Sequence, residues 1–176
     1  MGKLKMGLPF EGFIVPIPNA GIPQGLYVTP DRSYRIVPPA GWRIIPGDEG
    51  EVQFRSALAD QGYWPGMLIA KEPTKDSVDP KEEAKINSSA AEDREDFRKV
   101  SSARMELPIG EAYAVIYEHT FQGLRMKTAE AHIVSGGWRY WMTFNALAAS
   151  FDRHFPSYLN ALKSFAPVEP GGRVYN

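Results

Sequence analysis

The chain has no cysteine among its 176 residues. That excludes a thiol nucleophile, a redox dithiol, a disulfide framework, an Fe–S cluster and any Cys-based zinc site. Histidine is scarce as well. His119, His132 and His154 are the only three, and no two stand at the spacing by which a helix presents paired metal ligands. Neither charge sign is in excess: 20 Lys and Arg against 21 Asp and Glu give a formal net charge of -1. No basic field is therefore available to hold a nucleic-acid backbone. No apolar run approaches the roughly 20 residues that a membrane helix needs. Pro46-Gly-Asp-Glu-Gly50 has glycines but no following Lys-Ser/Thr, and it leads into a strand, so it is no phosphate loop. A Gly-x-Ser-x-Gly elbow is missing too. The sequence thus predicts no cofactor.

Turn chemistry, by contrast, is plentiful. Gly 16 and Pro 15 point to many turns and extended pieces rather than long helices. With 43% hydrophobic and 23% charged residues the mix is that of an ordinary globular domain. The length fits one domain at roughly 100–200 residues each. We expect an extended Pro/Gly-rich arm over 1–30, an α+β domain over 31–167 and a breaker-rich tail over 168–176. The arm carries Pro9, Pro16, Pro18, Pro23 and Pro30, which no helix survives. It also carries the apolar anchors Phe10, Phe13, Ile14 and Ile17, richer than a disordered linker would be. Met-Gly-Lys-Leu-Lys-Met has the charge of a signal-peptide start, but no apolar h-region follows. As it reads, the chain is expected in the cytoplasm, or outside it if an export signal stood in a longer precursor.

Tyr34–Pro38, Gly41–Ile45, Glu51–Arg55 and Gly66–Ala70 read as strands from their alternation or their short apolar runs. Asp79-Pro80 sets an N-cap and a first-turn proline. The helix it opens is expected to reach about Lys99, with a thin apolar face of Ala84, Ile86, Ala90, Ala91 and Phe97, lightly packed or solvated. A strand follows at Glu111–Tyr117. Leu124–Val134 and Trp138–Asn145 are then joined by a two-residue turn at Gly136-Gly137, where both positions favour φ > 0. That register sets Ile133 opposite Tyr140 and His132 opposite Trp141. One face of the hairpin (Ala129, Ala131, Ile133, Tyr140, Met142, Phe144) is then core. The other (Thr128, Glu130, His132, Trp141, Thr143) is amphipathic and partly wet. From Ala146 the chain turns helical, with Phe151, Phe155, Leu159, Leu162 and Phe165 on one stripe and Pro156 kinking or restarting the helix.

Three surfaces are candidate partner contacts: the arm around Phe10–Ile17, unless it packs on its own domain; the aromatic loop at Tyr63-Trp64, unless Trp64 folds under and caps the sheet end; and the wet sheet face with Glu130, His132 and Trp141. Tyr and Trp are typical interface anchors. A patch of His119, Glu130 and His132 is the candidate for metal or acid–base chemistry.

Tyr34-Arg-Ile-Val-Pro-Pro-Ala-Gly-Trp42 resembles the opening strand of PsbP-like domains. Tyr140-Trp-Met-Thr-Phe-Asn-Ala, Phe155-Pro-Ser-Tyr and Leu162-Lys-Ser-Phe165 are similar to their last strand and closing helix. The resemblance covers about Tyr34 to Phe165. It implies an α/β/α sandwich around a central antiparallel sheet. It also implies a role shared by most members, that of a non-enzymatic accessory subunit or adaptor binding protein partners, with no common catalytic set. The other reading is a small-molecule or metal-ion binding protein, even a hydrolase, built on the His119/Glu130/His132 region.

Overall fold

The computed structural model describes residues 25–47, 51–75 and 77–168. The arm residues Phe10, Phe13, Ile14 and Ile17 lie outside them. Among the described residues, ten strands and two helices follow in the order β1 (Tyr27–Val28), β2 (Tyr34–Ile36), β3 (Arg43–Pro46), β4 (Val52–Arg55), β5 (Gly66–Pro73), α1 (Pro80–Glu92), β6 (Arg98–Leu107), β7 (Gly110–Phe121), β8 (Leu124–Ser135), β9 (Trp138–Leu147), α2 (Phe151–Ser164) and β10 (Ala166–Pro167). Seven strands form one antiparallel sheet in the order β3-β4-β5-β9-β8-β7-β6. β1, β2 and β10 form a small second sheet.

The β8–β9 hairpin has the expected register, with Ile133 paired to Tyr140 and His132 to Trp141. Its turn has φ 59° at Gly136 and 77° at Gly137, the left-handed backbone that a primed two-residue turn demands. Because the side-chain period of a strand is two, this register fixes both faces of the sheet. Ile69, Ala131, Ile133, Tyr140, Met142 and Phe144 lie on one face and are buried. Phe54 continues it on β4, Tyr34 and Ile36 come from the small sheet, and α2 closes it with a run of rings. Phe144 stacks on Tyr158 at 5.3 Å, Phe151 lies 5.2 Å away, and Phe155 stacks on Phe151. Trp42 is 6% exposed and packs on Phe144. α1 packs over β7 and β8 on the opposite face, so the architecture is the expected α/β/α sandwich.

Three expectations need correction. The helix ends at Glu92 instead of reaching Lys99. A left-handed residue, Asp96 at φ 52°, turns the chain into β6, a strand the sequence reading missed. The second helix starts at Phe151, because Ala146 and Leu147 still belong to β9 and are buried in the sheet. It then runs unbroken to Ser164 through Pro156, which is exposed. Finally, the hairpin face expected to be wet is largely sealed. Thr128, His132 and Thr143 are 0%, 3% and 5% exposed. Helix α1 seals it with a small-residue seam, Ala84 and Ala91 against Val115 and Tyr117. Ile86 is 63% exposed and takes no part. Methyl groups let the helix backbone approach the sheet closely, so a thin apolar face suffices.

Candidate functional site

The α1 side of the sheet carries an unusually polar interior. Tyr117 on β7 sits across from Thr128 on β8, and Val115 across from Glu130. The Tyr117 hydroxyl donates to Glu130 Oε1 at 2.6 Å and accepts from Arg94 Nη1 at 2.8 Å. Arg94 comes from the turn just after α1. His132 follows two residues along the same face of β8. Its Nδ1 is 3.5 Å from Asn87 Nδ2 of α1, and its Nε2 is 3.4 Å from the second Glu130 oxygen, outside hydrogen-bond geometry. One row further, Thr128 donates to Asn145 Oδ1 at 2.6 Å.

The electrostatics of this row follow from burial and pairing. Burial pushes the Glu130 carboxyl up, but His132, Tyr117 and Arg94 outweigh it and hold the group below the usual carboxylate range. Burial and the Glu130 charge push the Tyr117 hydroxyl well above its ordinary value. Burial, with Arg94 and Arg125 nearby, brings the His119 imidazole down to about 4. Glu130 is thus a carboxylate, Tyr117 a neutral donor and His119 a neutral ring at neutral pH. His119 Nδ1, His132 Nε2, Arg139 Nε and Asn145 Nδ2 are buried without a hydrogen-bond partner among the described residues.

The expected His119/Glu130/His132 patch does not converge. Glu130 and His132 are neighbours on β8. His119, however, pairs with Met126 while His132 pairs with Tyr113, which is six residues along the strand, roughly 20 Å at 3.3 Å per residue. Among the described residues no group of three or more His, Asp or Glu gathers as a metal site. At the top of the same face, Arg139 is flanked by Glu83 of α1 and Glu72 of β5. It lies 5.7 Å from the Trp141 ring centre. Trp141 is half-buried, as is Trp64. Tyr63 was expected on the surface. It is instead 8% exposed, packed with Met126 and Leu147 at the end of the sheet. His132 is likewise lost to any surface, because α1 covers it.

A second cluster lies at the start of α2. A pocket of about 360 Å³ is lined by Asp60, Gln61, Leu147, Ala149, Ser150 and Arg153. Its carboxylate is already engaged: His154 Nε2 lies 2.9 Å from Asp60 Oδ2, and Arg153 pairs with the other oxygen. Burial raises the Asp60 carboxyl, yet these bonds hold it down at about 2. Arg94, Tyr117 and Asn87 were not singled out from the sequence. Each matters only through a neighbour on another element, and no local spacing signals that.

No protein-family model matches the sequence, and no curated protein matches it. Solved structures do. LpqN of Mycobacterium tuberculosis, involved in cell envelope biogenesis, aligns at TM-score 0.62 and 14% identity over 77% of this chain and 83% of that one. A Bacteroides thetaiotaomicron protein aligns at TM-score 0.62 and 13% identity over 86% of this chain; the chain spans about half (51%) of that longer one. Cyanobacterial PsbP from Synechocystis aligns at TM-score 0.60 and 10% identity over 86% of this chain and 98% of that one. The chain has the PsbP-like fold.

Proposed function

We propose that the chain is a non-enzymatic accessory or adaptor subunit that binds protein partners within a larger assembly. One observation carries this reading. The half-buried carboxylate Glu130, the group best placed for acid–base chemistry, is bonded to Tyr117 and held ionised by its neighbours. A general acid or base needs a pKa near working pH, and the Glu130 carboxyl is held below the usual carboxylate range. The likeness to cyanobacterial PsbP and to LpqN supports the same reading, and LpqN's named role supports a setting at the cell envelope. The proposed contacts are the arm residues Phe10, Phe13, Ile14 and Ile17, together with the half-buried Trp64 and Trp141.

Affinity capture with the full chain, and with residues 1–24 removed, tests this. A partner recovered at fixed stoichiometry with the full chain and lost on truncation, with melting unchanged, supports the arm as a contact. A Glu130→Gln variant should leave capture unaltered. Turnover of model ester, phosphoester or peptide substrates that disappears in Glu130→Gln would overturn the non-enzymatic reading.

A further inference from the structure

We propose that β6 is a self-pairing edge, through which two copies of this chain join into one continuous antiparallel sheet. This goes beyond the accessory role and does not depend on it. β6 is the outermost strand of the large sheet. It is ten residues long, and Arg98 through Arg104 are exposed on both faces. An edge of this length presents a row of backbone donors and acceptors to any strand that fits. Charges guard its ends, but Ser101-Ser102-Ala103 between them are small and uncharged.

Register and charge decide the occupant. Ser102 pairs with Val115 and Lys99 with Tyr117, so both lie on the α1 face, together with Arg104 and Glu106. Arg98, Ser101, Ala103 and Met105 lie on the other face. The register shift between Lys99 and Ser101 is a bulge at Val100, and it is what returns Lys99 to the α1 face. A two-fold axis through Ala103 then sets Ser102 opposite the second copy's Arg104, and Ser101 opposite its Met105. Across the bulge, Lys99 meets Glu106. Every facing pair shares a face, as antiparallel pairing requires. By symmetry the Lys99–Glu106 pair forms twice. Within one chain, neither residue has a salt bridge among the described residues, whereas Arg98 is paired with Glu118, and Arg104 with Asp79 and Glu111. Without the bulge Lys99 would point away from Glu106.

Analytical ultracentrifugation of the full chain across a concentration series is the test. The expected result is a concentration-dependent dimer. Lys99→Glu and Glu106→Lys should each weaken it by roughly tenfold, since opposed like charges replace both pairs. The double variant Lys99→Glu/Glu106→Lys should recover it. Ala103→Glu, which sets two carboxylates at the axis, should abolish it while melting stays unchanged, because the position is exposed. A dimer indifferent to these changes overturns the proposal. A monomer at every concentration also overturns it and leaves the edge to a strand of another protein.

Discussion

Trp42 follows the glycine that ends the opening strand region, and its ring is walled by Phe144 and His154 at centroid distances of 6.2 and 6.4 Å. Trp42→Ala should cost about 3–5 kcal/mol in a denaturant melt, as large aromatic truncations in cores do; a loss under about 1 kcal/mol would mean the ring is not a wall of the core. His119 makes a prediction about pH. Its folded pKa, about 4, is below the ordinary histidine value of about 6.5. Between these values the unfolded chain binds a proton that the folded chain does not. The stability it contributes is therefore complete above about pH 6.5 and is lost as pH falls toward 4. Melts from pH 7 to 5 should show a steeper fall in wild type than in His119→Phe; parallel curves would sink the assignment. Trp42 could be read from sequence because its glycine and proline neighbours are local. The Arg94–Tyr117–Glu130 row could not, because it exists only once β7, β8 and the end of α1 are side by side.

At the scale of elements, the β8–β9 hairpin was legible and β6 was not, for opposite reasons. Two long strands with one apolar face each leave a single register that buries both, and Gly136-Gly137 fixes the turn. Gly137 sits at φ 77°, so Gly137→Val should lower the melting temperature by several degrees, its β-branched side chain being disfavoured there. An unchanged melt would mean the turn is not the two-residue form. β6 has both faces in solvent over most of its length, so no burial imposes alternation. Its charges then read as a continuation of the helix before it. Pro156 offers a second test. It lies inside α2 yet on its exposed side, where it removes one helical N–H without touching the core. Pro156→Ala should raise the melting temperature, as differential scanning calorimetry would show.

Across the whole molecule, the sandwich binds distant parts of the chain. β2 pairs with β10, Tyr34 with Pro167. Lys71 of β5 is held between Asp31, which leads into β2, and the Trp138 ring. Burial raises the Asp31 carboxyl, but Lys71, Thr29 and Ser33 hold it well below the usual range. This clamp fastens the small sheet to the large one. Lys71→Met should keep the apolar contact with Trp138 and lose the ion pair, costing on the order of 1 kcal/mol because Asp31 is partly exposed. Equilibrium denaturation would measure it, and a loss as large as that of Trp42→Ala would show the clamp to be more than an edge fastening. Fold class, sheet direction and the α2 core were readable here because hydrophobic period reports them. The placement of α1 on the polar face was not, because two alanines leave little pattern.

The pairing of β5 with β9, Gly66 against Asn145, has a consequence for the order of events during synthesis. Of the large sheet, β3, β4 and β5 emerge from the ribosome first, and β5 must wait for β9 while α1 and three strands are made. At roughly 5–20 residues per second that is a delay of several seconds, with the apolar run Met67-Leu-Ile-Ala70 unpaired on one side. β6 through β9 form a longer meander of neighbours, each of which can pair as soon as it appears, and no strand of it waits on a distant partner as the free edge of β5 does. The later half of the chain should therefore become protease-resistant before the earlier half. Chains stalled after Glu130 should be cleaved freely within β3–β5, and chains stalled past Ala166, once extruded, should be protected there. A cell short of chaperones would lose this protein through that early window, at the first three strands of the sheet.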